Sequence, residues 1–154
     1  IIHVTGDMNY TASLERLNGF VRAMRDSHIP ITANSILYAD FFEESAYRQI
    51  TGLLERDIHP DAVFAGADKT AYGVLRALMN AGISIPGETA VIGFDDDTPD
   101  SRDIIFPGLS TMRQPMYEMG CAAVELLLAV IRDPAHQPET RCFQPQLILR
   151  ETCK

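Results

Sequence analysis

The chain contains no tryptophan and only three cysteines among its 154 residues. Cys121, Cys142 and Cys153 are odd in number and irregularly spaced, so they spell neither a disulfide framework nor a zinc pattern. Reduced thiols are the expected state. The four histidines (His3, His28, His59 and His136) lie far apart and form no HExxH arrangement, so neither a metal site nor a cofactor is expected. No apolar run is long enough to span a membrane, and no signal peptide opens the chain. Basic residues are in the minority, 13 against 21 acidic, for a net charge of -8. Their scatter argues against nucleic-acid contact by this segment, because phosphate binding needs clustered Lys and Arg. The chain begins Ile1-Ile-His-Val-Thr5, inside an expected strand and without an initiator Met. We therefore read it as a fragment of a longer protein, whose missing part is free to carry a DNA-binding domain.

What is present is an ordinary core: 46% of residues are hydrophobic, enough for one domain. Short apolar runs alternate with helical periodicity. Ile1–Thr5, Ile31–Ala39, Asp61–Gly66 and Thr89–Phe94 read as strands. Helices are expected from Thr11 or Ser13 to about Ser27 (Leu14, Leu17, Phe20, Val21 and Met24 on one face) and over Glu43–Glu55. A third runs over Thr70–Ala81, with Val74, Leu75, Leu78 and Met79 inward and Gly82 as its cap. Strands alternating with helices of this length predict an α/β fold, a parallel sheet flanked by helices. Continuous apolar strands predict burial on both faces. The rhythm then breaks. Asp95–Gly108 reads as a long polar loop, Leu109–Arg113 as a short strand, Met116–Ile131 as an amphipathic helix, and Phe143–Arg150 as a last strand bent at Pro145.

Each of the first four strands ends at or near an aspartate: Asp7, Asp40, Asp68 and Asp95. In an open parallel sheet, ligands bind beyond these strand ends. Helix capping competes as an explanation for Asp7 and Asp68. It is weaker for the consecutive Asp95, Asp96 and Asp97, where no helix obviously starts. Arg16 falls near the same rim, where a guanidinium can bond hydroxyls or a carboxylate. Alone, it is more readily a solvated surface arginine. Of Phe41 and Phe42, one is expected in the core, while an exposed ring at the rim suits a sugar or base face. No nucleophile–base pair, GxSxG, P-loop or GxGxxG is present, so binding is favoured over catalysis. An acidic rim holding Mg²⁺ for phosphoryl transfer, or a receiver-type domain, is the rival reading, with Lys69 directly after the third strand.

These residues resemble the effector-binding core of the lactose/galactose repressor family of bacterial transcription regulators. The resemblance runs through Arg16-Leu17-Asn18-Gly19-Phe20, Asp40-Phe41-x-x-Glu44-Ser45-x-Tyr47, Asp61-Ala-Val-Phe-Ala-Gly-Ala-Asp68 and Leu75-Arg-Ala-Leu78. It continues through Val91-Ile-Gly-Phe-Asp-Asp96, Leu109-Ser-Thr-Met-Arg-Gln-Pro115 and Leu149-Arg-Glu-Thr-Cys153. It implies a two-lobed, type I periplasmic-binding-protein-like fold, with residues 1–113 in the C-terminal lobe. Residues 114–137 would form a crossover and a helix that packs on the N-terminal lobe, and 138–154 a return strand. The N-terminal lobe would be mostly missing, leaving the face of Leu126, Leu127 and Val130 without its usual cover. By the same resemblance, Arg16, Phe41, Asp68, Asp95 and Gln114 are effector contacts, with Ala67 where the family commonly has Asn. Tyr72, Leu75 and Arg76 would sit at a homodimer interface. A small sugar-like effector, a cytoplasmic location, DNA contact only through a domain outside this chain, and no catalysis follow from it. An exported sugar-binding protein of a transport system is the alternative.

Overall fold

The computed structural model describes residues 1–97, 108–133, 135–137 and 139–153. In chain order the elements are β1 (Ile2–Val4), α1 (Thr11–Asp26), β2 (Ile36–Leu37), α2 (Glu43–Leu54), β3 (Ala62–Ala65), α3 (Asp68–Asn80), β4 (Ala90–Asp95), β5 (Ser110–Arg113), α4 (Met116–Arg132) and β6 (Gln146–Ile148). The strands form one sheet in the order β2-β1-β3-β4-β5-β6. All neighbours are parallel except β5 and β6.

This order fixes which face each helix takes. The crossover from β1 to β2 runs one way along the sheet, and those from β2 to β3 and β3 to β4 run the other way. Right-handed connections therefore set α1 on one face and α2 with α3 on the opposite face. The core lies on the α2–α3 side. Val63, Ala65 and Val91 from the strands meet Ile50 and Leu53 of α2 and Val74, Leu75 and Leu78 of α3. Strand residues alternate faces, so Phe64, Ile92 and Phe94 point toward α1. There they line an apolar groove of about 600 Å³ with Phe20, Ala23 and Met24 of α1. Burial on both faces therefore holds for β1, whose three residues are all buried, while β3 alternates buried with half-buried positions.

Several expectations are corrected. The strand expected over Ile31–Ala39 shrinks to two residues, because residues 32–35 form a local turn. Thr32 N–H donates to Ser35 Oγ at 2.9 Å and Ser35 N–H donates to Thr32 O at 3.1 Å, taking donors the sheet would need. The last strand shrinks to three residues after Pro145. Met79 and Leu14 are exposed rather than inward. Neither ring of the Phe41–Phe42 pair joins the core. Phe42 is 71% exposed, and Phe41 packs over Gly6 and edge-on to Tyr10, ring centroids 5.6 Å apart. The cap at Gly82 is present: its φ is +74°, and Ile83 N–H donates to Leu78 O at 3.0 Å. Of the long loop expected over Asp95–Gly108, Asp95 instead closes β4, and residues 98–107 lie outside the described residues.

α4 stands largely clear of the sheet. Among its described residues only Ala122 is buried, while Val124, Leu127, Leu128 and Ile131 are exposed. One flank is covered by the following segment, where Arg141 donates to Glu125 at 2.7 Å and to Glu139 at 2.7 Å.

Candidate functional site

The carboxyl ends of β1, β3 and β4 lie side by side because the strands are parallel. Arg16 sits in the second turn of α1, whose N-terminal end opens onto this rim. Its guanidinium donates to Gly66 O at 2.7 Å, just past β3, and to Asp95 Oδ1 at 3.2 Å, at the end of β4. It also stacks over the Phe94 ring, 3.8 Å from the centroid. Gln114 Nε2 donates to the same Asp95 oxygen at 2.7 Å. The structure thus joins Arg16 of α1, Asp95 of β4 and Gln114, just past β5, in one hydrogen-bonded group.

Asp95 and Asp96 are consecutive but face opposite ways. Both have left-handed backbones, with φ of 110° and 60°. Asp96 turns to β5 and the tail, ion-paired to Arg113 and, at 2.7 Å, to Arg150. Burial pulls the Asp96 carboxyl upward, but bonds from Arg113 and Arg150 outweigh it and hold it below the usual range. Asp95 has the reverse balance: burial pushes its carboxyl up, against the opposing pull of Arg16 and Gln114. Burial likewise lowers the Arg16 pKa, resisted by Asp95. Asp95, not Asp96, is therefore the carboxylate shared with Arg16 at the rim.

The remaining aspartates diverge. Asp7 folds back on its own turn, accepting from Asn9 N–H and Asn9 Nδ2 at 2.9 Å each, and it caps no helix. Asp40 accepts from Phe42 N–H at 2.8 Å in a local turn. Asp68 opens α3 but is only 2% exposed. Its two oxygens accept the Thr111 hydroxyl at 2.6 Å and the Asp97 N–H at 2.8 Å. Both oxygens of this expected effector contact are thus engaged within the chain. Phe41 lies at the rim, half-buried, with Tyr10 beside it.

Leu75 is also corrected: it is fully buried among the core side chains and offers nothing to a second copy. Tyr72 is half-buried on α3. Arg76 is engaged within the lobe, ion-paired to Glu43 at 2.9 Å and Glu44 at 2.7 Å and stacked on Tyr47 at 4.3 Å.

Sequence reasoning did not assign Phe94, Thr111, Arg113 or Arg150. Phe94 had a signal, since alternation in β4 sets it opposite Val91, on the α1 face. The arginines had none, because Arg150 reaches Asp96 only through the antiparallel return of the chain. With Arg16, Arg113 and Arg150 matched to Asp95 and Asp96, these acids are neutralised by the chain itself, which disfavours the Mg²⁺ reading. Among the described residues, no three His, Cys, Asp or Glu side chains gather to hold a metal. Among the same residues, no helix is long and apolar enough to cross a membrane.

Residues 1–153 match the family described as "Periplasmic binding protein-like domain". The chain belongs to that family. It is 33% identical over 153 residues to the HTH-type transcriptional repressor PurR of Actinobacillus pleuropneumoniae serotype 3, covering 98% of this chain and 45% of that protein. Among solved structures, it resembles a sugar-binding transcriptional regulator of the LacI family from Escherichia coli, determined with phosphate. The TM-score is 0.85 at 28% identity, over 98% of this chain and 53% of that one. It also resembles the transcriptional regulator CelR in complex with cellobiose, with a TM-score of 0.87 at 28% identity, over 98% and 46% of the respective chains. The chain thus spans about half the length of the relatives it matches. Those relatives are transcriptional regulators, and an exported transport protein is not favoured among them.

Proposed function

We propose that the chain is the effector-binding and dimerising part of a cytoplasmic, DNA-binding transcriptional regulator, with a small sugar-like effector and no catalytic step. The single observation that carries the reading is the Arg16–Asp95–Gln114 group at the strand ends. A guanidinium, a carboxylate and a carboxamide supply both donors and acceptors, as polyhydroxyl recognition requires. The cellobiose complex of a 28%-identical regulator supports a sugar as the ligand class. Arg16, Phe41, Asp95 and Gln114 are the proposed contacts, Phe41 offering a ring face beside the polar group. Residues 1–113 are read as one lobe, 114–137 as the crossover and its helix, and 138–154 as the return. Tyr72 and Arg76 are the proposed dimer contacts on α3. DNA contact belongs to a domain outside this chain. An effector that binds one closure state better than another shifts the balance between them.

A thermal-shift panel of neutral pentoses, hexoses and disaccharides tests the reading. A ligand bound at a hundred times its dissociation constant stabilises by about 2.7 kcal/mol, a readable shift. At least one sugar is expected to raise the melting temperature of the wild type but not of Arg16→Met. Arg22→Ala, altering an exposed pair on the same helix, should behave as wild type. No shift with any sugar would overturn the proposal.

A further inference from the structure

Asp68 is the odd member of the acidic rim: it is closest to fully buried, and no ligand can reach its oxygens without displacing protein partners. Its hydrogen bonds all run to one place. Oδ1 accepts the Thr111 hydroxyl at 2.6 Å from β5, and Oδ2 accepts the Asp97 N–H at 2.8 Å from beyond β4. Thr111 Oγ1 in turn accepts the Asp96 N–H at 3.3 Å. Together, Asp68 and Thr111 capture two consecutive backbone donors of the acidic turn. That turn carries the left-handed Asp95 and Asp96. Such conformations persist only where the surroundings over-determine them. Gly93 completes the arrangement, since a Cβ there would collide with Asp68 Oδ1.

We propose that Asp68 is a positioning residue of the effector site, clamping the Asp95–Asp97 turn against β5 so that Asp95 is presented to Arg16 and Gln114. This rests on the effector-site reading above. The charged groups facing Asp68 are Asp95 and Asp96 at the end of β4 and Arg16 on α1, with Thr111 the polar neighbour from β5. Burial lifts the Asp68 carboxyl to about 6, the Thr111 and Asp97 bonds oppose the rise, and Asp95 and Asp96 add to it. Protonation turns the oxygen facing Thr111 from an acceptor into a donor while the other oxygen still accepts from Asp97, so the bonding pattern of the clamp, though not its closure, changes as pH falls through that value.

The test follows backbone and side-chain amides by NMR, with hydrogen exchange, in the wild type, Asp68→Ala and Asp68→Asn. In the wild type the Asp97 amide and the Gln114 carboxamide should shift with a shared midpoint near 6. Asp68→Ala should speed exchange of the Asp96 and Asp97 amides by about tenfold or more with the overall fold retained. Asp68→Asn, able to accept from Asp97 and donate to Thr111, should restore protection while abolishing the pH response. Where Asp68→Ala fails to fold, the pH response of Asp68→Asn decides alone. A midpoint near 6 that survives in Asp68→Asn, or unchanged exchange in a folded Asp68→Ala, overturns the clamp. If the clamp behaves as expected while no sugar shifts the wild-type melting temperature, the clamp stands and the effector reading falls. If a sugar binds and neither variant changes the turn, the reverse holds.

Discussion

Arg16 satisfies a backbone carbonyl, a carboxylate and an aromatic face at once, so its loss strips three partners together. Arg16→Met should destabilise the chain by about 1–3 kcal/mol, read by urea unfolding, because Asp95 is left half-buried without its cation. A cost near zero would mean that Asp95 finds water instead. His3 makes a second prediction at this scale. It is fully buried between the Phe20 and Phe64 rings, its Nδ1–H donates to Phe64 O at 2.9 Å, and its Nε2 has no partner among the described residues. Burial lowers its pKa below 6.5, opposed by the Phe64 carbonyl and aided by Arg16. The unfolded chain therefore takes up this proton first as pH falls. Stability should hold above about pH 6.5 and decline below it, and His3→Phe should flatten that decline in pH-dependent denaturation. Arg16 and Asp95 were legible as rim residues because strand-end position can be read from periodicity. The burial of Asp68 was not, since it depends on Thr111, 43 residues away.

Helices α1 to α4 were legible to within a turn, as their apolar faces repeat at helical spacing. Strand order and the short lengths of β2 and β6 were not, because pairing depends on distant partners and on local turns such as residues 32–35. The packing of α2 on α3 rests on a close approach invisible in the pattern: a Cβ at Gly73 would collide with the Glu43 carbonyl. In an open helix, Gly→Ala gains about 0.5–1 kcal/mol. Gly73→Ala should instead cost about 1–3 kcal/mol, as overpacking against backbone does. Gly120, on α4, has nothing within 4 Å of its built Cβ. Gly120→Ala should therefore raise the melting temperature. Opposite signs for the two substitutions in one thermal scan are the expected result; equal signs would mean that α2 slides to make room.

At the scale of the molecule, α4 presents Val124, Leu127, Leu128 and Ile131 to solvent along one stripe. His136, Gln137, Glu139 and Arg141 lie along the other flank, reaching the edge of the stripe at Leu127, and leave Val124, Leu128 and Ile131 exposed. Concentration-dependent association is expected in a light-scattering dilution series, and Leu128→Glu combined with Ile131→Glu should return the chain to a monomer. A strictly monomeric wild type at every concentration would refute it. The groove beside α1 has a different consequence. Water must order against Phe20, Met24, Phe64, Ile92, Phe94 and Met112 along a trough of about 600 Å³. Sulfate and thiocyanate at equal ionic strength should therefore act on this lobe in opposite directions, the first tightening it and the second loosening it, so that the choice of anion governs how the protein behaves in solution.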